Sequence, residues 1–152
     1  MSQDDAGIDL ETSLGYLLKQ ASSALRAAME EVLRPLGMTV THYSCLELLA
    51  QRPGLANSEL ARGAFVTRQS MNVLLQALER DGYVSRPAQA PAGKVLPTRL
   101  TPRGRRSLEK ASKAVRSVEI RMQAGLTGTE QTAAFLILQS MIHSLRGGND
   151  RP

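Results

Sequence analysis

Between Thr67 and Gly82 the sequence sets Arg68, Gln69, Asn72 and Gln76 at helical spacing, with no acid among them until Glu79. These side chains donate and accept hydrogen bonds or carry positive charge. Gln and Asn can pair bidentately with adenine, and Arg with guanine, from a helix lying in the major groove of a duplex. The opposite face carries Met71, Leu74, Leu75 and Leu78, an i, i+3, i+4, i+7 row that calls for burial. Thr67 offers an N-cap hydroxyl to the Ser70 amide. Gly82 tolerates the left-handed backbone of a helix end. A solvated, amide-rich face is the plainer reading of the same residues, so the choice rests on what surrounds them.

The surroundings favour the nucleic-acid reading. Asn57 to Gly63 reads as a short helix with Leu60 and Ala61 inward, and Gly63-Ala64-Phe65-Val66 is a tight connection. Two short helices joined by such a turn, the second polar and basic at its start, form the helix-turn-helix pattern. Tyr83 to Arg86 and Val95 to Leu100 read as two short strands, joined by the Pro/Ala/Gly-rich segment from Pro87 to Gly93. This predicts a hairpin, or wing, with Lys94 near its tip. Gln69, Asn72 and Gln76 are placed for base edges, and Thr67, Arg68 and Ser70 for phosphate. Arg86, Lys94, Arg99, Arg103 and Arg105 add cations on the wing and on the start of the helix after it.

The 152 residues carry a net charge of +5, one cysteine and 3% aromatic residues. So few aromatics argue against recognition of single strands by stacking. A single cysteine, Cys45, excludes an internal disulfide and a cysteine-rich metal site. Between Arg86 and Arg116 the only acid is Glu109, so this block suits a polyanion. No apolar run approaches the ~18 residues of a membrane span and no signal peptide is visible, so the expected setting is cytoplasmic, with no membrane partner. A glycine-rich phosphate loop, a nucleophile elbow and paired carboxylates are all missing, and no cofactor is expected. The expectation is a non-enzyme.

Long helices flank the lobe. Leu10, Leu14, Leu17, Leu18, Leu25, Met29 and Leu33 recur at helical spacing and predict a helix from Asp9 to about Leu33, ending near Pro35. Thr39 caps a helix to about Gln51, with Cys45, Leu46 and Leu49 inward. Thr101 as N-cap and Pro102 at the first position open a helix to about Ala124. Its stripe is Leu108, Ala111, Val115, Val118 and Met122. Thr127-Gly128-Thr129-Glu130 is a capping box for a last helix, striped by Phe135, Leu138, Met141, Ile142 and Leu145. The predicted fold is mostly α, a winged lobe between long terminal helices. Their spare apolar faces point to a homodimer.

In this order and spacing, Leu36-Gly37-Met38-Thr39, Pro53-Gly54-Leu55, Ser58-Glu59-Leu60-Ala61, Leu74 to Arg86 and Leu100-Thr101-Pro102-Arg103-Gly104 resemble the MarR family of winged-helix transcription regulators. The resemblance covers nearly the whole chain. It implies one domain over 1–152, with dimerisation helices at 9–35 and 102–146 and a DNA-binding lobe at 39–100. It also implies a homodimeric repressor of a near-palindromic operator on double-stranded DNA, relieved by a small aromatic-acid ligand. In relatives such ligands bind where the first helices meet the lobe, and Tyr16, His42 and Tyr43 are the residues expected there. In one respect the chain departs from the family. Where the wing usually carries Asp and then Arg, the spacing places Ala92 and Lys94. A protein–protein adaptor with weak or lost operator binding is the alternative that this altered wing would fit. Cys45 lies on an apolar stripe and is expected to be buried and inert. His42 and His143 stand too far apart to suggest a metal site.

Overall fold

The computed structural model describes residues 7–87 and 97–147. The elements are α1 (Leu14–Leu33), a 3₁₀ turn (Arg34–Leu36), α2 (Val40–Gln51), α3 (Asn57–Gly63), α4 (Arg68–Arg80), β1 (Val84–Ser85), β2 (Arg99–Leu100), α5 (Pro102–Gln123) and α6 (Gly128–Leu145). The two strands pair antiparallel, Val84 with Leu100 and Ser85 with Arg99. The predicted wing tip, with Ala92 and Lys94, lies outside the described residues.

The chain divides into two compact units, residues 1–118 and 119–152. The first holds the core. Leu33 from the end of α1, Cys45, Leu46 and Leu49 from α2, Leu60 from α3, and Met71 and Leu75 from α4 are all at most 1% exposed. Fully burying one such side chain stabilises the fold by about 1.5–3 kcal/mol. In the second unit α6 buries none of its residues.

The first helix begins later than its apolar repeat suggests, at Leu14 and not Asp9. The Asp9 carboxylate accepts from the Glu11 amide at 3.1 Å, and its carbonyl accepts from the Thr12 amide at 3.2 Å. This local turn competes with the helix, and Ser13 then caps α1 by accepting from the Tyr16 amide at 3.1 Å.

Two separated sequence fragments prove to be one joint. Gly82, at φ 82°, ends α4. The Tyr83 amide reaches back to the Leu78 carbonyl at 2.8 Å and the Gly82 amide to that of Glu79 at 3.1 Å, the paired bonds of a Schellman end. The Thr101 hydroxyl donates to the Gly82 carbonyl at 2.6 Å and accepts from the Gly104 amide at 3.0 Å. Gly104 lies so close to the Tyr83 carbonyl that a Cβ there would overlap it. The Asp-Gly-Tyr-Val and Thr-Pro-Arg-Gly fragments thus dock the start of α5 against the end of α4.

Candidate nucleic-acid interface

The reading helix is set by its two ends and by α3. Thr67 Oγ1 accepts from the Ser70 amide and donates to Ser70 Oγ, both at 3.0 Å. A cap of this kind stabilises a helix by about 1 kcal/mol. It leaves the Ser70 hydroxyl hydrogen to donate elsewhere. Asn57 Nδ2, at the first turn of α3, donates to the Arg68 carbonyl at 3.2 Å. This bond ties the starts of the two helices together. At the head of α3 the Glu59 carboxylate accepts from the Ala56 amide at 3.3 Å. Ala56 has no side-chain acceptor to complete a capping box.

The turn between α3 and α4 has an unusual occupant. The Val66 amide bonds the Ala61 carbonyl at 3.0 Å and the Phe65 amide that of Arg62 at 3.3 Å, a second Schellman end. Its left-handed residue is Phe65, at φ 60°. The other positive-φ residues described are all glycine: Gly37, Gly54, Gly82 and Gly147. Phe65 is 88% exposed. Gly63 serves packing instead, because a Cβ there would come within 2.8 Å of Leu48.

With Met71, Leu75 and Leu78 buried and Leu74 half-buried, the opposite face of α4 is exposed. Thr67, Arg68, Gln69, Ser70, Asn72 and Gln76 are all exposed. Val73, passed over in the sequence, stands among them at 62% exposure. Its place four residues after Gln69 and three before Gln76 is the signal that would have found it.

The predicted cations divide. Arg86 has a side chain only 14% exposed, and its guanidinium lies 3.5 Å from the Glu79 carboxylate. Its Nε is buried without a hydrogen-bond partner. Arg86 therefore braces β1 against α4. Arg99 is exposed on β2, and its guanidinium lies over Gly54. Arg103 and Arg105 are exposed in the first turn of α5. The Arg103 guanidinium sits 4.7 Å from the Tyr83 ring centroid and donates to the Tyr83 hydroxyl at 3.4 Å.

The residues expected at a ligand site are spread out. Tyr16 is exposed in the first turn of α1. Along the helix it is about 25 Å from Leu33, the end that enters the core. Tyr43 is half-buried on α2 and engages the Glu47 carboxylate. His42 packs edge-on against Tyr83, with ring centroids 5.4 Å apart. Burial lowers the His42 pKa, which the nearby Asp81 partly offsets, and its Nε2 is buried without a partner. On Tyr83's side lies a pocket of about 550 Å³ lined by Leu36, Tyr83, Arg103, Arg106, Ser107, Glu109 and Lys110. Three cations against one carboxylate make it suited to an anion. Cys45 is buried, and desolvation pushes its thiol pKa up to about 12. No group of three or more His, Cys, Asp or Glu among the described residues could hold a metal ion. No described helix is long and apolar enough to cross a membrane.

Comparison with known proteins agrees with this geometry. Residues 36–94 match the MarR family model. The HTH-type transcriptional repressor Rv2887 of Mycobacterium tuberculosis is 43% identical over 135 residues, covering 89% of this chain and 97% of that protein. Its crystal structure in complex with salicylic acid aligns with a TM-score of 0.71 at 42% identity, over 86% of this chain and 96% of the other. Its complex with DNA aligns with a TM-score of 0.71 at 39% identity, over 86% and 98%. The lobe, its docked joint and these similarities converge: this chain belongs to the MarR family.

Proposed function

We propose that the chain is a homodimeric repressor that binds a specific double-stranded DNA sequence and releases it when a small aromatic acid binds. The observation that carries the reading is the exposed face of α4. A capped, rigidly seated helix presents Gln69, Asn72 and Gln76 outward, with Arg68 and the Thr67–Ser70 cap at its start. Gln and Asn suit adenine edges, and the free amides and hydroxyl at the helix start suit phosphate. Lys94, Arg99, Arg103 and Arg105 add charge along the duplex, while Arg86 is assigned to Glu79. The DNA complex of the mycobacterial repressor supports the same reading.

The dimer rests on apolar surface. Leu14, Leu17 and Leu18 on α1 are exposed, and so are Phe135, Leu138 and Ile142 on α6. A dimer would carry two α4 helices, and half-sites one turn apart, roughly 34–36 Å, would make the operator near-palindromic. For the effector, the cationic pocket beside Tyr83 is the favoured seat. Arg103, Arg106 or Lys110 would take the carboxylate, with His42 behind the ring that forms one wall and Tyr43 further along α2. Tyr16 would join only through the first turn of α1. The salicylic acid complex of the relative supports an aromatic acid as ligand class. A ligand expels DNA only through unequal affinity for two dimer conformations.

The test is selection of bound duplexes from a random library. A near-palindromic consensus is expected, and Gln69→Ala or Asn72→Ala should each weaken it by about 1–3 kcal/mol and relax one position. An unchanged consensus and affinity in both variants would remove α4 from the reading role. Salicylate titrated into the complex should release DNA, and DNA should weaken salicylate binding by the same factor. Equal salicylate affinity with and without DNA would exclude this coupling.

A further inference from the structure

On α4, successive residues turn by about 100°, so the residue opposite the buried row can be located. Met71, Leu75 and Leu78 are buried. Val73 is two residues from both Met71 and Leu75, and falls on the far side of the helix from them. It lies between Gln69 and Gln76 on the outward face and is 62% exposed. Nothing in helix stability favours valine there. A β-branched residue loses side-chain freedom in a helix and is less favourable than alanine at an exposed position. Its neighbours on this face donate and accept hydrogen bonds; valine does neither. Base edges in the major groove carry one apolar group, the C5 methyl of thymine.

We propose that Val73 is a specificity-determining residue that packs on a thymine methyl in each half-site. The proposal rests on the reading of α4 as the major-groove helix and names what the centre of that helix recognises. Gln69 and Gln76 on either side would bond polar edges of neighbouring bases. Val73 would distinguish thymine from cytosine and from either purine at its own position.

The experiment uses the full-length protein and the duplex selected above. Each thymine of a half-site is replaced in turn by deoxyuridine, in both half-sites at once. This exchange removes the methyl and leaves every hydrogen-bonding group in place. Affinities are measured by fluorescence anisotropy for the wild type and for Val73→Ala, with circular dichroism to check folding. In the wild type one thymine position should lose about fourfold per half-site, or about 15-fold for both, the worth of one buried methyl group. In Val73→Ala that same exchange should cost less than about twofold. A scan that is flat in the wild type, or identical in the two proteins, would overturn the proposal and leave the major-groove reading intact. Failure to select any sequence would instead overturn that reading, and this inference with it.

Discussion

The lobe and the last helix treat apolar residues in opposite ways. Within residues 1–118, α2, α3 and α4 each turn one apolar row inward, and every buried apolar side chain described belongs to this unit. In α6, Phe135, Leu136, Ile137 and Leu138 are consecutive, so they point round the whole helix, and all are exposed. A helix apolar on all sides is one meant to be covered on more than one side. The core around α2, α3 and α4 is thus filled within one chain, whereas α6 leaves apolar side chains uncovered all round. In the proposed dimer a second copy covers them.

The largest effect should come from breaking the uncovered side. Phe135→Glu combined with Ile142→Glu removes two apolar contacts from each copy and buries carboxylates in their place. At about 1.5–3 kcal/mol per side chain, the dimer should lose about 6–12 kcal/mol of association energy. Sedimentation equilibrium at micromolar concentration should then find chains of 16.5 kDa. An unchanged dimer would mean that α6 is covered by something else. Next comes the covered side. Leu60→Ala should cost about 2–5 kcal/mol in chemical denaturation, at a position 0% exposed. It should leave the oligomeric state of the folded protein as it was. A shift in association as large as the shift in stability would erase the distinction between the two regions.

The smallest effect lies at the helix-turn-helix corner. A non-glycine residue in the left-handed region costs about 1–2 kcal/mol, and glycine returns part of this as unfolded-state entropy. Phe65→Gly should therefore stabilise the protein by about 0.5–1 kcal/mol in a thermal or denaturant melt. A loss of stability would mean that the exposed ring makes contacts of its own.

Much of this was legible in the sequence because it depends on local chemistry. The caps at Thr39, Thr67 and Thr127, the stop at Gly82 and the cap that Thr101 gives the Gly104 amide all act within a turn of themselves. The row of Gln69, Asn72 and Gln76 was legible for the same reason. What escaped depends on competition or on distant neighbours. The Asp9 turn displaces the helix start to Leu14, since a side-chain acceptor offers the backbone another partner. Arg86 reads as one more free cation until the strand places it against Glu79. Leu136 and Ile137 lie off the single apolar stripe that helical spacing picks out in α6, so spacing alone does not mark them. Phe65 carries no mark of its left-handed backbone, which the usual glycine would have signalled.

In the proposed dimer two lobes joined by the terminal helices read one duplex together, and the stoichiometry on the selected duplex is the decisive measurement. Sedimentation velocity of the protein with that duplex should give two chains per DNA. A duplex cut to a single half-site should bind far more weakly, because the second α4 then has no bases to read. One chain per duplex, or equal affinity for the half-site and the whole site, would rule out joint reading by two lobes.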